Sequence, residues 1–278
     1  MNAKARHQNR LGRLFGRAIV FLYLLLLYFP IYWMITMAFK RRVDITTLPP
    51  KFIFRPVLSN FEWLFVHQNL LFPVLRSSYV VLLSVGVALI LGTMAAYALA
   101  RYQWPRQRDI EFWIVSTRML PPVAVIIPFY TIFTRLRLLD NLTALAFTYL
   151  TLNLPLITWL LLGFFRSIPK DVDEAAYLDG CNSLQVLWYV TLPLVKSGIA
   201  TAVVLAFIYT WGELFFAFIL TSVNQTLPVS LVSLTAVGLE VKYGEMAAAG
   251  TLAAIPSLLL AILVRRTLVS GFRSLAGV

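Results

Sequence analysis

Cysteine, histidine and carboxylates are scarce in this sequence, and each scarcity closes off a class of chemistry. The single cysteine, Cys181, excludes an internal disulfide. The two histidines, His7 and His67, stand far apart in polar flanks, so no cluster of His, Cys and carboxylates has metal-ligand spacing. Twelve Asp and Glu among 278 residues, with two histidines, leave little for ordinary acid–base catalysis. No Gly-Lys dipeptide occurs, so the chain has no G-x-x-x-x-G-K-[ST] loop with which to hold ATP. Neither G-x-S-x-G nor H-E-x-x-H is present. Charged residues make up 13%, about half the share of a soluble domain.

What fills the chain instead is apolar. Hydrophobic residues reach 60% and the mean hydropathy is +0.80. A soluble domain is about 45–50% apolar, so this composition predicts an all-α integral membrane protein. A span needs about 20 apolar residues, and the length suits six spans with short connections. The net charge of +12 reads as basic residues at the lipid surface rather than as a nucleic-acid footprint.

Taken in order, residues 1–17 are a basic tail carrying Lys4, Arg6, Arg10, Arg13 and Arg17. A six-span domain follows at 18–266, with spans expected at 18–39, 73–100, 111–134, 142–165, 197–221 and 247–264. The first apolar run is too long for a signal-peptide core and has no small-residue cleavage site. Residues 267–278 form a short C-terminal tail. With the N-terminus inside, fourteen Lys and Arg fall on the cytoplasmic side and eight outside, which puts both termini and the loop 166–196 in the cytoplasm. Pro121-Pro122 and Asn153-Leu154-Pro155 interrupt two spans, and breaks of this kind are tolerated beside a water-filled path. Glu213 is the one acidic residue well inside a span, and Arg118 lies near the entry of the third. Charges at such depth face a bundle interior, an aqueous cavity or a paired partner.

The loop 166–196 is the longest polar break in the C-terminal half. Within it Glu174–Pro193 reads EAAYLDGCNSLQVLWYVTLP. Asp171, Asp173 and Glu174 crowd a first turn, where a helix favours negative charge, and Pro169 stands just ahead. Gly180 can end that helix in a left-handed conformation, and Asn182 or Ser183 can cap the next. The expectation is a helix, a sharp turn and a second helix beside the membrane, shaped to dock into another protein.

The spacing E-A-A-x(3)-G-x(9)-[IV]-x-L-P resembles the cytoplasmic EAA loop of ABC importer permeases. Glu174, Ala175, Ala176, Asp179, Gly180, Val190, Leu192 and Pro193 fall on its positions; Val190 replaces the usual Ile, and Cys181 stands where a small residue is common. Leu48-Pro49-Pro50, Thr117–Pro122, Leu160–Pro169, Phe207–Thr221 and Gly244–Pro256 extend the likeness to the MalG-like permeases of carbohydrate ABC importers. The resemblance implies the type I importer permease fold in a bacterial inner membrane. It implies a second permease subunit, two copies of an ABC ATPase that bind ATP and Mg, and an extracytoplasmic solute-binding protein, with no cofactor in this chain. It implies ATPase coupling through Glu174, Ala175, Ala176, Asp179, Gly180, Leu192 and Pro193, with Glu174 making a charged contact and the two alanines allowing close approach. Glu213, Trp211, Asn153, Arg118 and Tyr130 are the candidates for the solute path, and Trp211, Tyr209, Tyr130 and Trp159 could offer flat faces to sugar rings. The chain departs from the family at Trp211-Gly212-Glu213-Leu214, where relatives often read W-N-[ED]-F, and in its final residues. An ion-gradient carrier, or an ABC permease for a non-sugar solute, remains an alternative.

Overall fold

The computed structural model describes the backbone of residues 3–235 and 242–275, and side chains within 15–234 and 242–265. The described residues are helical, with no strand. In order they form α1 (Ala3–Ala38), α2 (Arg42–Thr46), α3 (Ser59–Val66), α4 (Leu71–Arg101), α5 (Gln107–Ser116), α6 (Pro122–Leu136), α7 (Leu142–Thr148), α8 (Leu150–Ser167), α9 (Asp171–Leu178), α10 (Ser183–Gln185), α11 (Leu192–Leu194), α12 (Lys196–Trp211), α13 (Phe215–Leu220), α14 (Leu227–Thr235) and α15 (Tyr243–Leu275). Four stretches are long and apolar enough to cross a membrane: Phe15–Ala38, Leu71–Arg101, Leu150–Ser167 and Tyr243–Arg265. Two bent pairs, Gln107–Met119 with Pro122–Leu136 and Ser183–Leu194 with Lys196–Trp211, raise the count to six if each is one span.

The differences from straight spans have local causes. The third apolar segment bends by 87° at a 3₁₀ turn, Thr117–Met119, followed by Pro121-Pro122. Neither proline has an N–H, and a residue before proline is pushed out of the helical region; Leu120 and Pro121 are accordingly extended, with ψ of 129° and 130°. The stretch 197–221 is likewise not one helix, because α12 stops at Trp211 and α13 starts at Phe215. The basic tail continues the first span as one helix from Ala3. The expected C-terminal tail is helical through Leu275; residues 1–2, 236–241 and 276–278 lie outside the described residues.

Two compact units are distinguished. The first contains the described residues up to Asn69 and those of Leu234–Leu252. In it Asn60 donates from Nδ2 to the carbonyls of Ala38 and Lys40, at 2.8 and 2.9 Å, which closes the turn after α1. Lys40 is buried, its ammonium 4.3 Å from the Trp33 ring centre and 5.1 Å from that of Phe54. Aromatic faces take the place of water around this charge.

The second unit contains Leu70–Ser233 and the described residues from Ala253 onward. Its centre is α4, which buries Ser77, Val81, Ser84, Ala88, Gly92 and Ala96 along one helical face. Small residues let helix backbones approach closely where no hydrophobic effect drives them together. A Cβ on Gly92 would meet Ile157 of α8 at 3.0 Å, and one on Gly198 of α12 would meet the Phe164 ring of α8 at 2.5 Å. Beside this packing, Val80, Ile126, Leu145, Tyr149, Phe216 and Leu220 form an apolar core. Asp140, at φ +61°, ties two turns together: its Oδ1 accepts the N–H groups of Ser222, Val223 and Asn224 at 2.8, 3.1 and 2.8 Å.

Candidate functional site

The loop 166–196 folds as a compact knob. Helix α9 begins with Asp171, Asp173 and Glu174 in its first turn. It ends in a Schellman turn, in which Gly180 N–H bonds the Tyr177 carbonyl and Cys181 N–H bonds the Ala176 carbonyl, both at 3.0 Å. Gly180 has φ +89°, a conformation that a side chain disfavours. Gly180→Ala is therefore expected to cost about 1–2 kcal/mol through left-handed strain, read as a lowered unfolding midpoint in detergent. Asn182 caps the next turn as a reciprocal box: Asn182 Oδ1 accepts Gln185 N–H at 3.0 Å, and Asn182 N–H donates to Gln185 Oε1 at 2.8 Å. A π-helical turn, Val186–Thr191, leads to Leu192-Pro193 and a bend of 81° into α12.

The knob has an inner and an outer face. Asp173 and Ala176 point inward and are buried, while Glu174, Ala175, Asp179 and Gly180 are exposed, with Leu178 90% exposed. Tyr177, Leu184, Trp188 and Tyr189 add exposed apolar surface nearby. The Tyr177 hydroxyl lies 3.4 Å from Ser183 Oγ, and that hydroxyl holds the phenol below its usual pKa. Of the alanine pair, Ala176 is buried within the chain and Ala175 is exposed. Leu192 is half-buried and Pro193 exposed at the return to α12.

The inward face gives one acid of the first turn partners that its place in the sequence did not mark. Asp173, 4% exposed, receives three groups. Arg101 Nε is 2.5 Å from its Oδ2, Tyr97 OH donates to Oδ2 at 3.4 Å, and Thr191 Oγ1 donates to Oδ1 at 3.1 Å. Arg101 also donates from Nη1 to the Ile168 carbonyl at 3.0 Å. Nearby, Arg166 of α8 pairs with Glu111 of α5 at 2.5 Å. Asp173 and Arg101 lie 72 positions apart, and only the inward register of α9 could have hinted that one acid of its first turn needs a cation.

Of the path candidates, Trp211 and Glu213 line one narrow crevice with Thr210 and Tyr149. Asn153 is fully buried where α4, α8 and α12 meet, donating from Nδ2 to Ser84 Oγ at 3.0 Å and accepting from Thr210 Oγ1 at 2.8 Å. These bonds tie the three helices together at this point. Asn153→Leu is expected to cost about 1 kcal/mol, as for other hydrogen bonds between membrane helices, with transport retained. Loss of transport at unchanged thermal stability would return Asn153 to the solute path. Trp211 is buried too, its indole N–H donating to the Ala253 carbonyl at 2.9 Å. Glu213 pairs with no cation among the described residues. Its two oxygens accept the N–H groups of Phe216 and Ala217, at 3.0 and 3.3 Å, and so cap α13. Tyr130 is an exposed residue of α6.

Arg118 does meet two of the expected aromatics. It sits at the bend between α5 and α6, with its guanidinium 5.1 Å from the Tyr209 ring centre. A cavity of about 310 Å³ is lined by Arg118, Val115, Met119, Pro155, Leu156 and Trp159. A second, of about 420 Å³, runs between α5 and α8 from Trp159 to the Glu111–Arg166 pair. A charged donor beside two flat rings can hold a polyhydroxylated or anionic solute, by hydrogen bonds at its rim and stacking on its faces.

Residues 88–274 match the family described as the binding-protein-dependent transport system inner membrane component. The chain is 34% identical to a probable ABC transporter permease protein, y4oR, of Sinorhizobium fredii, over 97% of this chain and 96% of that protein. It is 33% identical to the sulfoquinovosyl glycerol transport system permease protein SmoH of Agrobacterium fabrum, over 87% of this chain and 86% of that one. In fold it is similar to a chain in the crystal structure of a bacterial ABC transporter involved in the import of the acidic polysaccharide alginate. The TM-score is 0.78 at 23% identity, over 93% of this chain and 97% of that chain.

Proposed function

Because this chain belongs to the family of binding-protein-dependent transport system inner membrane components, we propose that it is a permease subunit of an ATP-driven carbohydrate importer whose ATPase docks on the outer face of α9. The solute is an oligosaccharide, a polyol, or a glycosyl or glycerol derivative, a reading supported by relatives such as the sulfoquinovosyl glycerol permease. Both termini and the knob lie in the cytoplasm, in keeping with the excess of Lys and Arg assigned to that side. The other parts are a second permease, two ATPase subunits that bind ATP and Mg²⁺, and an extracytoplasmic solute-binding protein.

One observation carries the coupling role: α9 presents a charged and apolar face, Glu174, Ala175 and Leu178, to solvent on a helix whose opposite face is pinned inside the protein. An exposed apolar patch rimmed by polar groups marks an interaction site. Closure of the ATPase dimer around ATP displaces α9 as a rigid body, and the spans follow between inward- and outward-open states. The cavity beside Arg118, Trp159 and Tyr209 forms part of the solute path. Affinity purification from native membranes tests the reading. Recovery of a second permease, a P-loop ATPase and a solute-binding protein supports it. Recovery of the chain alone, active on an ion gradient, overturns it.

A further inference from the structure

Besides residues 168–170, which join α9 directly to α8, the chain offers two routes by which a displacement of α9 could reach the other spans. The covalent route runs from α9 to α12 and is interrupted repeatedly. It passes a Schellman turn at Gly180, a separate capped turn at Asn182–Gln185, a π-helical turn at Val186–Thr191, Pro193, and the 81° bend into α12. Each interruption is a place where rotation can be absorbed rather than passed on. The second route is not covalent. Asp173, on the inward face of α9, is held by Arg101 and Tyr97 from the end of α4 and by Thr191 from the π-helical turn. Arg101 reaches on to the Ile168 carbonyl, where α8 ends. The Tyr97 ring packs edge-on against Phe165 of α8, with ring centres 5.6 Å apart. The Arg101 and Asp173 side chains are only 7% and 6% exposed, so water does not compete strongly for the pair.

Helix α4 differs from the covalent route in being unbroken. It runs for 31 residues from Leu71 to Arg101, about 45 Å at 1.5 Å per residue. Its far end is anchored as well: Ser77 Oγ accepts Leu227 N–H at 2.7 Å, and Arg76 donates to the Val223 carbonyl at 3.0 Å. A push at Arg101 therefore acts on one stiff rod that packs along α8 through Gly92 and Ile157.

We propose that the buried Asp173–Arg101 pair is the joint that delivers the movement of α9 to α4, so that coupling passes through this contact rather than along the chain into α12. Both are positioning residues that touch neither solute nor nucleotide. The inference rests on the reading of α9 as the ATPase contact.

The test uses the complete complex, this permease with its partner permease, ATPase and binding protein, in proteoliposomes. Arg101→Gln alone strands a buried carboxylate and can fail to assemble. The decisive variant is the neutral pair Arg101→Gln with Asp173→Asn, which leaves neither charge orphaned and alters nothing on the outer face of α9. The ATPase should co-purify with this variant in normal amount, while solute transport per ATP hydrolysed falls about ten-fold, within the usual range of coupling between sites. The exchanged pair, Asp173→Arg with Arg101→Asp, should restore part of the loss. Two glycines inserted between Cys181 and Asn182 lengthen the covalent route without touching the joint, and should leave transport per ATP within about two-fold of wild type. A neutral pair that transports like wild type, or a glycine insertion that uncouples, would overturn the joint. So would a neutral pair that fails to assemble while the exchanged pair assembles but stays uncoupled. A wild-type complex lacking ATPase would instead sink the functional reading on which the joint rests.

Discussion

A Glu174→Lys permease is expected to reach the membrane and fold as the wild type does, yet to transport about a hundred-fold more slowly. Glu174 is exposed in the first turn of α9 and makes no ion pair among the described residues, so its own fold loses little. The cost at the helix N-terminus is about 0.3–1 kcal/mol, since a cation there opposes the helix dipole. The cost at the docked interface is larger. A charge-assisted hydrogen bond contributes about 1.5–3 kcal/mol, reversing the charge adds repulsion, and each 1.4 kcal/mol is about ten-fold in an equilibrium. Transport and solute-stimulated ATP hydrolysis in proteoliposomes, beside the elution profile of the solubilised protein, check this. Full activity would remove the outer face of α9 from the coupling interface.

Gly198→Leu is expected to act on the fold itself. A first side-chain carbon at this position would lie 2.5 and 2.6 Å from two atoms of the Phe164 ring, and that ring is 3% exposed. The contact is closer than any packed carbon pair, so α12 or the ring must move, and membrane interiors leave little slack. The penalty is about 3 kcal/mol, the upper part of the range for overpacking a core. The amount of folded permease recovered in mild detergent should collapse. Adding Phe164→Ala to the same chain should restore much of it, because the space the new side chain needs is then vacant. Failure of that rescue would mean that Gly198 matters for something other than its contact with α8.

Sequence and structure agree best where the signal is local. The acids of the first turn, the left-handed glycine and the Asn182 cap are written in consecutive residues, and the helix–turn–helix at 171–185 follows from them. Other features depend on partners far away in the chain. In the sequence Asp173 is one more acid at a helix start, and its cation, Arg101, lies at the end of another helix. Asn153 stands beside a proline in the sequence, and its hydrogen-bond partners Ser84 and Thr210 come from two other helices. Glu213 is the instructive intermediate case. Its two partners are the N–H groups three and four residues ahead, a local signal that the reading of 197–221 as one continuous span concealed. The bend at Pro121-Pro122 was marked by its residues, but its size of 87° follows from how the two halves pack.

The carboxylate of Asp140 has a practical consequence for anyone mapping which side of the membrane each loop occupies. Reporter insertions are ordinarily aimed at short exposed turns, on the assumption that such turns are independent and expendable. Here the turn at 222–224 has surrendered three of its backbone amides to a side chain more than eighty residues earlier, and the Asn224 amide returns to the Asp140 carbonyl at 3.0 Å. Two turns that look separate along the chain therefore form one rivet, and a tag placed in either would pull on both. The stretch 102–106, which joins α4 to α5 with Arg106 in a left-handed conformation, is spanned by a single side-chain tie, Gln107 Nε2 donating to the Leu99 carbonyl, and is the looser place to cut the chain open.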